Sequence, residues 1–276
     1  MLEERVVTYL RETERGTVRP VPQSVSFADP DRPTGGRLII PGVTPENDPG
    51  LTFEQAGERT DVVWVPTRLS MASRKIAESS HASVRGQTVD SARNIVLRFE
   101  SILEYFFAHI LMSRKEVVRI EDQPPPVKFN LGKNRKHYFD FRATFSDGWR
   151  TGFNVKPSDL LERDQTFEKM DAINAVHTPS FSDDILVVTE VEVTRAKGLN
   201  AVDVNQARRN RNQSECDQVL DRLLVIGEPI KIWRLQDMIG DPGMVWDAIL
   251  CLLYDKKVHI QTPGLRFSDD RLVRVR

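Results

Sequence analysis

The chain contains little cysteine and no apolar run long enough to cross a membrane. Its two cysteines, Cys216 and Cys251, stand outside any Cys-x-x-Cys or Cys/His pattern among its 276 residues, which argues against a structural zinc site and favours a reducing compartment. No apolar run approaches the roughly 20 residues of a transmembrane helix, and the first residues include no apolar signal-peptide core. We therefore expect a soluble cytoplasmic protein that has no membrane partner.

The chain also lacks a dominant charge of one sign, and its histidines lack the spacing of metal ligands. Lysine and arginine together number 39 against 40 aspartate and glutamate residues, so the formal net charge is −1 and a generally basic nucleic-acid-binding protein is excluded. The five histidines are scattered without the spacing of metal ligands. Any contact with DNA must therefore come from a local patch.

Residues 1–88 are rich in proline and glycine and carry no motif of catalytic chemistry. This composition predicts an irregular N-terminal arm of unassigned role. Two short apolar stretches inside the arm, Leu38–Ile40 and Val62–Val65, predict strands that lie against another domain. The arm is therefore expected to be an irregular or partner-docking segment.

The periodicity of apolar residues becomes clear over residues 89–196, and this region is predicted to form one domain. The apolar stripe from Ile102 to Leu111 recurs at i, i+3 and i+4, and it predicts a helix over 102–112. The continuous apolar run Ile185–Val188 is typical of a buried central strand. Alternation and turn residues predict a helix over 158–176, together with strands over 94–99, 117–120, 127–129 and on both sides of a hairpin turn at 146–148. The predicted fold class is a mixed α/β sheet flanked by helices.

Two segments of the predicted hairpin combine charged and amide side chains. Tyr138–Phe141 forms its first strand and Asn154–Lys156 ends its second. Because side chains alternate across a strand, Asp140, Asn154 and Lys156 are expected on one face. The opposite, buried face is expected to take the apolar side chains of Phe139, Phe141, Ala143, Phe153 and Val155.

A carboxylate and a lysine on neighbouring strands suit metal-dependent phosphodiester hydrolysis. Asp140 supplies a charged oxygen for a hard cation such as Mg²⁺, the Asn154 amide supplies a carbonyl oxygen, and the Val155 backbone carbonyl supplies a third ligand. Lys156 is then placed to orient the attacking water and to offset charge on the phosphate. Each residue taken singly is typical of a solvated strand surface, so the hypothesis depends on their combination.

Glu104 offers a further carboxylate, for which two roles are open. The spacing Ser101-x-x-Glu104 at the start of the predicted helix is that of a capping box, in which Glu104 reaches back to the Ser101 amide. Glu104 also lies beside the apolar stripe, which is a possible place for a metal ligand. The local pattern favours the cap, and Glu100, one turn earlier, competes for either role.

The order of short motifs resembles the TnsA family, the endonuclease subunits of heteromeric cut-and-paste transposons. The resemblance covers roughly 92–192 and lies in Ser101–Glu104, Val117–Ile120, Gln123–Pro124, Tyr138–Asp140, Asn154–Lys156 and Val187–Glu190. It implies a restriction-endonuclease-like nuclease core in which Glu104, Asp140 and Lys156 form a site for Mg²⁺, with Mn²⁺ as a substitute. An amide two positions before the lysine, here Asn154, is similar to the glutamine of that family.

Residues 197–276 predict a C-terminal domain that resembles the winged helix following the TnsA nuclease. The predicted elements are helices over 201–226, over 230–238 and from Pro242 onward, then strands over 258–261 and 272–275. The last helix is expected to expose Trp246, Asp247 and Tyr254. These are not the side chains that usually read bases, so the pattern favours a protein partner or the phosphate backbone.

A basic cluster precedes this domain's central elements. Arg208, Arg209 and Arg211 are candidates for contacts with DNA phosphates, the alternative being a solvated helix face. The resemblance further implies three partners: double-stranded DNA of transposon ends, an integrase-fold transposase and a regulatory ATPase.

The sequence thus predicts a metal-dependent DNA endonuclease that cuts at transposon ends. Two alternatives stay open. One is an assembly or DNA-docking subunit of the same fold, with a site weakened by Asn154. The other is a stand-alone restriction or repair nuclease.

Overall fold

The structure is a computed structural model that describes residues 36–39, 63–73, 84–176, 180–261 and 264–276. Within these residues the chain forms six α-helices and thirteen strands, which confirms the mixed α/β class. The helices are α1 (Ile102–Met112), α2 (Thr166–Asn174), α3 (Arg195–Arg209), α4 (Gln213–Ile226), α5 (Ile232–Ile239) and α6 (Pro242–Tyr254). In the described part of the chain, no helix is both long and apolar enough to cross a bilayer.

The strands form several small sheets rather than one. The first seven are β1 (Gly36–Ile39), β2 (Val63–Pro66), β3 (Gly86–Asp90), β4 (Ile95–Phe99), β5 (Val117–Asp122), β6 (Val127–Asn130) and β7 (Asn134–His137). The others are β8 (Phe141–Phe145), β9 (Arg150–Val155), β10 (Asp184–Val188), β11 (Ile230–Lys231), β12 (Val258–Ile260) and β13 (Leu272–Val275). A four-stranded sheet in the order β10-β9-β8-β5 carries the candidate site.

The hairpin of β8 and β9 forms as predicted. The strands pair antiparallel, and the Gly148 N–H donates to the Phe145 carbonyl across the turn at 2.9 Å. Gly148 has φ of +85°, a conformation that glycine adopts without strain. One face of this sheet packs on α1, where the Phe107 ring lies 4.9 Å from the Phe153 ring between centroids. The predicted helix over 102–112 is therefore confirmed, and it covers the hairpin.

β10 departs from its prediction as a buried central strand. It pairs parallel with β9 but lies at the end of the sheet, and within it only Val188 is fully buried. Its apolar run arises because both faces are partly covered. Leu186 packs against the main core, whereas Ile185 and Val187 pack against a second cluster of Phe129, Phe139, Met170 and Ile173.

Three further boundaries differ from those predicted. The helix expected over 158–176 is a 3₁₀ turn at Ser158–Leu160 followed by α2. The helix expected over 201–226 is divided into α3 and α4, because the Asn212 side chain caps a new helix by accepting the Ser214 N–H at 3.1 Å. Strand β7 was not predicted, since Asn134–His137 is polar throughout, and it pairs with β6.

The described parts of the arm form strands, as predicted, and join the main sheet region. β1 and β2 pair antiparallel. Beyond β2, the Arg68 backbone pairs with the β4 region, and Ser73 donates its N–H to the Gln123 carbonyl at 2.9 Å. Strand β3 runs across the expected domain boundary at 88/89, and α3 runs across the one at 196/197. The other predictions for residues 1–88 concern segments outside the described residues.

The C-terminal elements surround their own core. β11, β13 and β12 form a three-stranded sheet in that order, and the buried side of α6 packs on the core with Val245, Ala248, Ile249 and Leu252. Trp246 and Tyr254 were expected to be exposed, but both are half-buried against this core. The Arg208 guanidinium covers Tyr254, with 3.6 Å between its carbon and the ring centroid.

A buried polar network joins α1 to α3. Asn205 donates its amide to the His109 carbonyl at 2.8 Å and also contacts the His109 ring. Thr88 Oγ1 lies 3.3 Å from the other ring nitrogen of His109. Burial, with a smaller contribution from Arg209, lowers the pKa of His109 to about 4. The imidazole is therefore neutral in the folded protein at neutral pH.

Acidification is expected to destabilise the fold through His109. Because its pKa rises from about 4 in the folded chain to 6.5 in the unfolded chain, the unfolded state binds more protons between these values. The free energy of unfolding should therefore fall by on the order of 3 kcal/mol as the pH drops through that window. Urea unfolding of the wild type and of His109→Gln between pH 7.5 and 4 measures this. His109→Gln should flatten the pH dependence and the matched control His259→Gln should not; equal pH dependence in all three proteins contradicts the prediction.

Candidate functional site

Asp140 is fastened to the end of the β8–β9 hairpin. Its backbone N–H donates to the Phe153 carbonyl at 2.9 Å, and its Oδ2 accepts the Val155 N–H at 2.7 Å. The β8–β9 ladder ends at the pair Phe141 and Phe153, and these two bonds hold Asp140 against Phe153 and Val155, on either side of Asn154. The structure thus brings Asp140 together with the Asn154–Lys156 segment.

The expected alternation of Tyr138–Phe141 is wrong at Phe139. Residues 138–140 form a bend between β7 and β8 rather than a strand. Phe139 consequently lies on the other face of the sheet from Phe141, and its ring is 3.4 Å from where a Cβ on Gly152 would stand. The physical reason is that the Asp140 carboxylate takes the Val155 N–H, which a continuous strand would pair through its backbone.

Asn154 combines burial with an unpaired amide. Only 8% of its surface is exposed. Among the residues that the structure describes, no hydrogen bond involves its side chain, although the neighbouring Asp140 and Lys156 both have partners. The amide atoms themselves are not fully enclosed, so solvent reaches them and a ligand can take the place of that solvent.

Lys156 is held at the point where β9 ends. Its backbone N–H donates to the Val188 carbonyl at 2.8 Å, and its Nζ lies 2.5 Å from Oδ2 of Asp164. The hydrogen bond from Lys156, followed by that from Arg163, lowers the pKa of Asp164 to about 2. Asp164 is therefore ionised at neutral pH and orients the Lys156 side chain. The sequence offered no signal for this pairing, because Asp164 lies in an irregular connection before α2.

Glu104 forms the predicted cap, with one difference. The Glu104 N–H donates to Ser101 Oγ at 3.1 Å, and Glu104 Oε1 accepts from the Ser101 hydroxyl at 2.9 Å. Its Oε2 accepts the N–H of Glu100 at 2.8 Å, rather than that of Ser101 as expected. Capping is therefore an observed role of Glu104. A metal-binding role stays a prediction, since a carboxylate has further lone pairs.

The donor set near Asp140 suits a hard cation. Across the described ranges, no three His, Cys, Asp or Glu side chains lie close enough together to hold a metal ion. The predicted set is of another kind, with carboxylates supplemented by an amide and a backbone carbonyl. The Asp140 carboxylate and the Asn154 amide fit such a cation, because both offer oxygen ligands and the Asp140 carboxylate is fixed to the backbone of Val155, next to Asn154.

The basic cluster of α3 has partners inside the protein. Arg208 donates to the Met112 carbonyl at 3.0 Å, and Arg209 donates to the Val89 carbonyl at 2.8 Å. Arg211 pairs with Asp255 at 2.6 Å. Each guanidinium thus fastens α3, or the turn after it, to another element. A phosphate contact by these arginines stays a prediction, and it would require them to exchange these partners.

Comparison with known proteins identifies no family. No model of a known protein family matches the chain. No curated protein matches it either.

Proposed function

We propose that this protein is a divalent-metal-dependent DNA endonuclease that resembles the TnsA subunit and cuts at transposon ends. The observation that carries the proposal is the bond between the Asp140 carboxylate and the Val155 N–H. It fixes the Asp140 carboxylate at Val155, the residue between Asn154 and Lys156, at the end of a buried hairpin. This combination is suited to binding a cation and a phosphodiester together.

Asp140 and Asn154 would hold Mg²⁺, or Mn²⁺ in its place, with the Val155 carbonyl and Glu104 as the further predicted ligands. The bound cation would supply charge neutralisation on the phosphate and lower the pKa of a water molecule. Lys156 would orient that water and offset the negative charge that develops on the phosphate oxygens. To do so, its ammonium exchanges Asp164 for the phosphate, a swap of one anionic partner for another.

Two features of the fold support the finer assignments. An antiparallel hairpin followed by a helix and a parallel strand, covered by α1, supports a restriction-endonuclease-like core for the first half. The order α4, β11, α5, α6, β12, β13, with β13 between β11 and β12, supports a winged helix for the second. Because Trp246 and Tyr254 are half-buried on α6, this module suits a protein partner or the phosphate backbone better than base reading. An integrase-fold transposase and a regulatory ATPase are the partners that we propose by resemblance.

The second candidate function is a non-catalytic assembly subunit that docks DNA or the transposase. The Lys156–Asp164 ion pair favours it, because an ammonium held by a carboxylate that is ionised at neutral pH is not free in the absence of DNA. The amide at Asn154 also carries no charge for a cation. The test below separates the two functions.

The test is nicking of plasmid DNA that carries the transposon ends, with Mg²⁺ or Mn²⁺ and the transposase present. We expect Asp140→Ala to lower the nicking rate by at least about 10²-fold, as expected when a charged metal ligand is removed. Asp147→Ala is the matched control, since Asp147 lies at the opposite end of the same hairpin, where it accepts the Trp149 N–H at 3.1 Å. Equal rates for the wild type and Asp140→Ala would show that the chain is the assembly subunit.

A further inference from the structure

The hairpin of β6 and β7 is strongly cationic in a chain whose net charge is −1. It carries four basic side chains, and no aspartate or glutamate occurs from Pro124 to Phe139. The basic residues are Lys128, Lys133, Arg135 and Lys136. Because the chain as a whole has almost no net charge, binding to DNA requires a local excess of basic residues, and this hairpin supplies one.

The lysine charges of this hairpin lie close to one another and are not neutralised by carboxylates. Lys128 on β6 stands directly opposite Lys136 on β7, and both side chains are exposed. Like charges at directly paired positions destabilise a hairpin. In the described part of the chain, no ion pair involves Lys128, Lys133 or Lys136, whereas Lys156, Lys231 and Lys256 each pair with a carboxylate. The repulsion is relieved when an anion binds between the two strands' lysines.

The hairpin is anchored beside the candidate site. Phe129 of β6 is buried with Phe139 in the second cluster, so the apolar side of the hairpin is fixed while Lys128 and Lys136 face outward. β7 ends at His137, three residues before Asp140. Lys156 and Lys169 both contact Asp164, and after burial it is their charges that lower the pKa of His137 at the end of β7. Cationic side chains therefore continue from Lys156 to the hairpin.

We propose that the β6–β7 hairpin binds the phosphate backbone of duplex DNA and holds the strand against Asp140 and Lys156. Lys128 and Lys136 are the principal contacts, with Lys133 at the turn. The partner is a polyanion because this exposed face presents opposed lysines without carboxylate partners, and the exposed amides of Asn130 and Asn134 beside them are further donors to phosphate oxygens. The inference builds on the proposed nuclease function, and it assigns the main phosphate contacts to this hairpin in place of Arg208, Arg209 and Arg211, which are engaged inside the protein.

The test measures binding of the full chain to a fluorescent duplex of random sequence, in EDTA, over a range of salt concentrations. We expect the double variant Lys128→Ala with Lys136→Ala to bind about tenfold more weakly at 0.1 M salt. The slope of log affinity against log salt should fall by about 1.8, because each lost phosphate contact removes about 0.9. The matched control removes two other exposed lysines, Lys115→Ala with Lys257→Ala, and should leave both quantities unchanged.

Two outcomes overturn this inference. One is an equal loss of affinity in both double variants, which would indicate a general effect of net charge; the other is no loss in the hairpin variant. Replacement of Lys128 and Lys136 by arginine should retain the affinity, and a loss there would show that charge is not the recognised property. Unchanged melting temperatures verify that these exposed substitutions leave the fold intact. Because EDTA prevents cleavage, the result is independent of Asp140→Ala, so the hairpin and the catalytic site can fail separately.

Discussion

Replacing Lys156 with alanine is expected to slow DNA nicking by about 10²- to 10⁴-fold, the range of positioned acid–base and charge-stabilising groups. The Lys156 backbone is held by the Val188 carbonyl at 2.8 Å, so the strand end stays in place when the side chain is shortened. What is lost is the ammonium of the residue that follows Val155, whose N–H the Asp140 carboxylate accepts. Rates under single-turnover conditions, with saturating DNA and Mn²⁺, measure the chemical step directly.

Asp164→Asn separates chemistry from structure in this prediction. It removes the same ion pair, of 2.5 Å, but leaves the Lys156 ammonium in place. If Lys156 acts on the phosphate, Asp164→Asn should change the nicking rate by less than about tenfold, because the substrate replaces the lost carboxylate. A loss as large as that of Lys156→Ala would instead assign Lys156 a purely structural role. Lys156→Arg completes the series, since it keeps the charge but not the compact geometry of the ammonium.

Elements with strong local periodicity could be predicted from the sequence, and those fixed by distant contacts could not. The stripe from Ile102 to Leu111 defines α1 because burial of one helix face is visible in the spacing of its residues. The bend at residues 138–140 leaves no such trace. It depends on a hydrogen bond from Val155, fifteen residues further on, to the Asp140 side chain. The same limit applies to Asp164, whose partner Lys156 lies across an irregular connection.

Polar segments were the other source of error. β7 is composed of Asn134, Arg135, Lys136 and His137, which carry little strand propensity, so its pairing with β6 was missed. The arginines of α3 were interpreted as a surface cluster because their partners, such as Met112 and Asp255, are remote in sequence. For the arginines, charge was a poor guide to exposure, because their partners lie inside the protein. For the DNA contact that we propose, the sequence signal is the absence of acidic residues from Pro124 to Phe139, to which the structure adds the opposed Lys128 and Lys136.

Gly198→Ala is expected to destabilise the protein by about 2–3 kcal/mol, the upper part of the range for overpacking a close contact. Gly198 is buried in α3, where it lies against Phe106 of α1. A Cβ at Gly198 would stand 2.3 Å from Cγ and 2.6 Å from Cβ of Phe106. The second atom is attached to the backbone, so a rotation of the ring cannot relieve the contact, and α1 and α3 must separate.

Helix propensity alone predicts that Gly198→Ala stabilises the protein, whereas the close contact predicts that it destabilises the protein. The measured change in stability therefore distinguishes the two. Alanine in place of an interior helical glycine stabilises a helix by up to about 1 kcal/mol. Gly243 on α6 is the matched control, because the nearest atom to its added Cβ is Asp241 Oδ1, at an ordinary 3.7 Å. Thermal unfolding should therefore show Gly198→Ala melting about 5–10 °C lower and Gly243→Ala melting at or above the wild type. If both variants melt alike, the helices are not in close contact.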